Sequence, residues 1–205
     1  MSATQHIKSI TRILSAIWFC VPFLAFAQDE IMLSSGQLIK GIVQSLGPAY
    51  ATLLPIGSDK SERLYADQIN YVRRRNASES IQYFYSKKVF SVNSTDGLSI
   101  PRLLLLRSGG KIKTYSYTIL HSRSDVNRYY LEKDDSGIIF IGDKSGLTAI
   151  RNDAMTAREV TKQVSLLFED NTELRSRYDA DKKQHKRKVI MRYVKEYNNW
   201  SEHLH

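Results

Sequence analysis

Cysteine is almost missing from this 205-residue chain: Cys20 is the one example. Neither a disulfide framework nor a cysteine-based zinc site can be built from one thiol. Apolar runs are short. The longest, residues 13–24, covers about 12 positions, against the roughly 20 that a helix needs to cross a bilayer. The motifs that usually announce chemistry are also missing. There is no Gly-x-Ser-x-Gly elbow and no His-Glu-x-x-His helix. No glycine-rich loop opens onto a helix to cradle phosphate, because Gly109-Gly110 leads into a strand pattern instead. Asp134-Asp135-Ser136-Gly137 lacks the remaining ligands of an EF-hand and reads as a hairpin tip. No cofactor is therefore expected. With 42% hydrophobic and 25% charged residues the composition is that of a globular protein.

The short apolar run has a recognisable setting. Lys8 and Arg12 precede it, and Ala25-Phe26-Ala27 follows it before Gln28. A positive segment, an apolar core and an A-x-A site together describe a secretory signal peptide over residues 1–27. Cys20 lacks the small preceding residue of a lipidation site and counts as filler of the apolar core. Cleavage would leave 178 residues without cysteine and lower the net charge from +9 to +7. Such a chain is expected in the periplasm, at the outer-membrane periphery or outside the cell.

From residue 28 to about 150 the pattern is that of strands. Ser34-Ser35-Gly36 separates Ile31 and Leu33 from Leu38, Ile39, Ile42 and Val43, a hairpin signal. Gly41 inside the second apolar run implies a bulge or sharp bend. Ser108-Gly109-Gly110 joins residues 103–106 to the alternating residues 111–117. Residues 129–132 and 138–141 form a further pair. The strand pattern falls into two sections, which suggest two sub-sheets, 28–85 and 89–150. After residue 150 the period lengthens: Ala157, Val160, Val164, Leu167 and Phe168 share one helical face, as do Val189, Ile190, Tyr193, Val194 and Tyr197. Asp170-Asn171 is expected to stop the first helix, and Tyr193, Tyr197 and Trp200 to seal the last onto the sheet. The fold class is α+β, a small bent antiparallel sheet or barrel-like body followed by a helical region, residues 151–205.

These residues resemble an uncharacterised family of small secreted proteins of Gram-negative bacteria. The likeness rests on Asp29, Ile31, Leu33, Gly36, Ile39, Gly41 and Val43, with one position of adjustment between Asp and Ile. It rests also on residues 129–133, 167–174 and 194–198. Covering most of the chain after residue 27, it implies export and an α+β build and no known activity. A fainter likeness, carried by Gly36 and Gly41 over some fifteen residues, is to Sm-like small barrels.

Two basic clusters are the candidate anion-binding residues: Arg73, Arg74 and Arg75, and Lys182, Lys183, Lys186, Arg187 and Lys188. Clustered Lys and Arg attract polyanions in a screened, salt-sensitive way. Their plainer reading is a charged strand edge and a solvated helix entry. With Tyr83 and Tyr85 nearby, a cytosolic protein would invite a nucleic-acid reading. Export redirects the expectation to lipid phosphates, acidic polysaccharide or another envelope protein. Tyrosine is plentiful, and Tyr115, Tyr117, Tyr129 and Tyr130 fall in expected strands, either as half-buried packing or as a stacking platform. His121, His185, His203 and His205 lack the spacing and partners of a metal site. Asn76, Asn93 and Asn199 head Asn-x-Ser/Thr sequons, which matter only in a eukaryotic secretory route. The expected function is non-enzymatic binding in the cell envelope. The alternatives are a hydrolase using carboxylates of the β body and an Sm-like nucleic-acid binder.

Overall fold

The computed structural model describes residues 28–90, 99–119, 126–134, 136–143 and 156–203. The expected signal peptide, Cys20, Asn93, His121, Asp135 and His205 lie outside these residues. Ten strands follow in chain order: β1 (Asp29–Leu33), β2 (Leu38–Leu46), β3 (Tyr50–Pro55), β4 (Glu62–Tyr65), β5 (Ile69–Arg75), β6 (Ile81–Phe90), β7 (Ser99–Ser108), β8 (Ile112–Ile119), β9 (Val126–Lys133) and β10 (Ile139–Asp143). Three helices complete the chain: α1 (Ala157–Leu166), α2 (Thr172–Ala180) and α3 (Arg187–Glu202). The fold is α+β.

The strands form one antiparallel sheet in the order β10-β9-β8-β7-β6-β5-β1-β2-β3-β4, with β4 and β10 at its edges. Polar residues 86–88, which lie between the two expected sections, sit inside β6. Ser86, Lys87 and Lys88 pair with Leu103, Arg102 and Pro101 of β7. A ladder needs only backbone partners, so a polar interruption of the side-chain pattern leaves it continuous.

The two halves of the sheet bury their cores differently. In the first half the sheet curls over itself. Ala66 N–H donates to the Ala49 carbonyl (2.9 Å), Leu103 N–H to that of Pro48 (2.8 Å), and the Ser86 hydroxyl to that of Ala66. These bonds close strand ends and turns around Ile31, Val43, Leu53, Ile69, Val72 and Leu103. Register shifts at Met32/Leu33 and Val43/Ser45 supply the bending. Gly41 permits a close approach: a Cβ there would lie 2.2 Å from the Leu54 carbonyl oxygen of β3.

In the second half the helices cover the same face. Val160, Val164, Leu174, Ile190, Val194 and Tyr197 meet Ile112, Leu131 and Ile141 around Phe168. Each such fully buried aliphatic or aromatic side chain contributes about 1.5–3 kcal/mol relative to exposure. α1 opens with a capping box: Thr156 Oγ1 accepts from Glu159 N–H, and the Glu159 carboxylate accepts from Thr156 N–H. Asn171, expected as a stop signal, caps α2 by accepting from Leu174 N–H (2.9 Å). That short helix carries no obvious periodic signal, since only Leu174 and Tyr178 along it are buried.

Two polar anchors fasten the helices to the sheet. The Asn198 carboxamide of α3 accepts from Ile112 N–H and donates to the Ile112 carbonyl, both at 2.8 Å. Asp170 receives Lys111 Nζ (2.8 Å), Lys133 Nζ (3.0 Å) and the Tyr197 hydroxyl. Burial raises the Asp170 carboxyl, but these three donors outweigh it and hold the group well below the usual carboxylate range. Burial, and then the same carboxylate, pushes the Tyr197 phenol up.

Candidate ligand-binding face

Strand alternation sends successive side chains to opposite faces of a sheet, and register decides which residues become neighbours. Cross-strand pairs place Leu38, Met32, Tyr71, Tyr85 and Leu104 in one row across five strands. Leu106, Tyr115, Tyr130 and Phe140 form a second row on the same face. This face lies opposite the helices. Its rings form contiguous groups. Tyr71, Tyr83 and Tyr85 have centroids 6.0–6.3 Å apart, and Tyr85 reaches Tyr115 at 6.1 Å. Tyr117 stacks on Tyr130 at 5.9 Å, and Tyr130 meets Phe140 at 5.4 Å. Tyr115 and Tyr130 are buried, while Tyr71, Tyr83, Tyr85 and Tyr117 remain half-exposed. Burial pushes the Tyr130 phenol up, with Tyr117 adding to it, and burial followed by Tyr83 and Tyr71 does the same to Tyr85.

Cations are interleaved with these rings. Register places Lys40, Arg73, Lys87, Arg102, Lys113 and Arg128 on this face, against the acidic positions Glu30, Glu132 and Asp143. Lys87 Nζ lies 5.6 Å from the Tyr115 ring centroid, and the Arg128 guanidinium 5.5 Å from that of Phe140. Glu132, 4% exposed, accepts from Lys87 Nζ (2.6 Å) and from the Tyr115 hydroxyl (2.7 Å). Glu30 lies 3.6 Å from Arg73 and 3.9 Å from Lys40. Among the described residues, cations therefore outnumber carboxylates on a face whose rings are partly open to solvent.

The basic residues singled out from the sequence occupy separate places. Arg73 joins the tyrosine face, whereas Arg74 alternates to the other side and pairs in register with Gln82. Arg75 ends β5, exposed, with its N–H donating to the buried Asp29 carboxylate (3.1 Å). Lys182, Lys183, Lys186 and Lys188 are exposed on the turn between α2 and α3 and at the entry of α3. Arg187 is half-buried with its guanidinium 4.2 Å from the Tyr129 ring centroid. Tyr129 is paired with Ser116 and so belongs to the helix-covered face, apart from Tyr115, Tyr117 and Tyr130. The structure thus brings Arg73 together with tyrosines and leaves the cluster at 182–188 on the opposite side of the sheet. Tyr71 and Lys87 were not anticipated, although the alternation Tyr83, Tyr85, Lys87 carried the signal.

A second concavity lies where α1 meets the last two strands. It encloses about 940 Å³, and its lining surface is mainly apolar, with Ile138, Ile139 and Phe140 from the β10 region and Val160, Leu166 and Leu167 from the α1 segment. Among the described residues no group of three His, Cys, Asp or Glu side chains could hold a metal ion. No helix among them is long and apolar enough to cross a membrane. The fold and its surface define an α+β protein with an aromatic, cation-rich sheet face. Comparison with protein-family models, curated proteins and solved structures gives no match.

Proposed function

We propose that the chain is an exported, non-enzymatic binding or accessory protein of the cell envelope that holds acidic polysaccharide on its tyrosine face. The observation that carries the reading is the interleaving of half-exposed rings with cations in excess of carboxylates, among the described residues, on one sheet face. Flat aromatic rings offer apolar contact to sugar faces, and the cations add a long-range attraction for acidic groups. Three half-exposed tyrosines, Tyr71, Tyr83 and Tyr85, stand beside Arg73 and supply both elements at one spot. Export is supported by the composition of residues 1–27.

Retention of the mature chain on acidic and neutral polysaccharide, measured against salt, tests the binding. Retention should be confined to the acidic polymer and fall steeply between about 50 and 200 mM salt. Arg73→Glu combined with Tyr83→Ala should weaken it about tenfold. Neutralising Lys182, Lys183, Lys186 and Lys188 should change it less than about threefold. Equal losses from both variants would assign the effect to net charge and remove the tyrosine face from the reading. Preference for anionic vesicles over the polymer would replace polysaccharide with a lipid surface. For export, fractionation should recover a chain beginning at Gln28 outside the cytoplasm, and a full-length cytosolic chain would refute that part.

A further inference from the structure

The concavity beside α1 has a chemistry of its own. One wall comes from β9, β10 and the turn before β10, through Tyr130, Ile138, Ile139 and Phe140. The other comes from the α1 segment, where Leu166 lines the groove while remaining 45% exposed. An amphipathic surface helix normally turns its large apolar residues inward, as Val160 and Val164 do here. Leu166 instead adds apolar surface to an open groove. The volume lies within the roughly 300–1,000 Å³ of small-molecule sites.

The polar groups around this apolar lining are unequal. Lys88 of β6 and Lys162 of α1 both line the groove, both are exposed, and neither has an ion-pair or hydrogen-bond partner among the described residues. Lys133 also lines it, but its ammonium is committed to the Leu167 carbonyl (2.8 Å) and Asp170 (3.0 Å). Of the two carboxylates present, Glu159 is engaged by the Thr156 backbone and hydroxyl at the start of α1. Glu169 supplies the other. An apolar trough with two ammonium groups that have no partner among the described residues complements a molecule that is apolar along its length and negative at one end.

We propose that this groove binds a single-chain amphiphile with an anionic head, its chain lying against Phe140, Ile139, Val160 and Leu166 and its head held by Lys88 or Lys162. The chain removes apolar wall from water, and the head gives the two ammonium groups a counter-charge in a partly desolvated setting. The site stands apart from the polysaccharide reading, although Tyr130 and Phe140 border both surfaces.

The mature chain titrated with cis-parinaric acid, a fluorescent long-chain acid, tests this directly. Saturable one-to-one binding with a Kd of about 1–10 µM is expected, with palmitate displacing the probe. Hexadecanol, equally apolar and uncharged, should compete about tenfold less well. Leu166→Glu should weaken binding at least about tenfold, and Lys88→Glu with Lys162→Glu about fivefold to tenfold, while retention on acidic polysaccharide changes less than about threefold. Both lysines are exposed, so the lysine pair keeps the test decisive if Leu166→Glu alters the far-ultraviolet circular dichroism. No saturable binding below ~50 µM would overturn the proposal, and so would a groove filled by the chain itself or by a second copy, which would show the same result. Binding unaffected by either variant would place the probe elsewhere. Equal competition by hexadecanol would remove the anionic head.

Discussion

Asn198 offers the sharpest check on how the helical region is fastened to the sheet. The ladder between β7 and β8 ends at Ser108 and Thr114, so Ile112 has no strand partner on that side. The Asn198 carboxamide takes the vacant place, accepting from Ile112 N–H and donating to its carbonyl, with a third bond to the Gly109 carbonyl at 3.2 Å. Ile112 is fully buried and Asn198 is 7% exposed, so water cannot readily substitute at those two backbone groups. Gly110, at φ +112°, leaves room for this contact: a Cβ there would sit 2.6 Å from the carboxamide. Asn198→Ala strands a buried donor and a buried acceptor, each costing about 1–2 kcal/mol, for a loss near 3 kcal/mol. At about 2–4 °C per kcal/mol for a chain of this size, Tm should fall by about 6–12 °C. Urea unfolding followed by circular dichroism and by Trp200 fluorescence measures it, because Trp200 lies on the same helix and packs on Tyr197 at 5.4 Å. Asn198→Asp is a demanding companion. It keeps the acceptor for Ile112 N–H but faces two carbonyls with a carboxylate oxygen, and it should be at least as damaging at pH 7. Its deficit should shrink at low pH, where the protonated acid can donate. A loss below about 1 kcal/mol for Asn198→Ala would refute the assignment of Asn198 as the clamp.

Two further substitutions probe the same framework. Gly41→Ala would force a Cβ to within 2.2 Å of the Leu54 carbonyl oxygen, whereas at Gly47 the nearest atom is 3.9 Å away. Thermal unfolding should show a loss of about 3 kcal/mol or more for the first and under about 1 kcal/mol for the second. Asp170 has a folded pKa below its unfolded value of about 3.9, so its contribution is complete above about pH 4 and is lost as pH falls further. Asp170→Asn should cost about 1–2 kcal/mol at pH 7, allowing for partial solvent screening, and the gap to the unaltered chain in urea midpoints should narrow between about pH 4 and pH 2.

Legibility in the sequence followed the strength of local signals. The hairpins around Gly36 and at residues 108–110, the alternating strand β8 and the periodic helices α1 and α3 were readable because their turn residues and apolar spacing act over short range. α2 was not, because nine residues with two buried side chains at i and i+4 carry little moment against their surrounding charges. Residues 86–88 carry no local sign of their place inside β6, where Lys87 meets Glu132 of β9 across two intervening strands, a partner 45 residues distant in the chain. Arg73 and Arg74 looked equivalent in the chain and are not, because one residue of strand moves a side chain to the opposite face. Tyr129 and Tyr130 divide in the same way, one under Arg187 and one among the rings.

Composition and local pattern by themselves determined the fold class, the order of its β and helical parts, the excess of positive charge and the absence of familiar catalytic motifs. These are properties of residues and their near neighbours. Only the tertiary structure decided which tyrosines share a face, which cations stand beside them, and that Asn198 and Asp170 serve as anchors. It also opened the groove between α1 and β10. Those outcomes depend on register and on contacts spanning up to 89 residues, where chain distance says nothing about proximity. The low cysteine content excluded one means of holding such a sheet together. The structure shows that curled strands, buried aromatic side chains and a few fully engaged polar groups hold it instead.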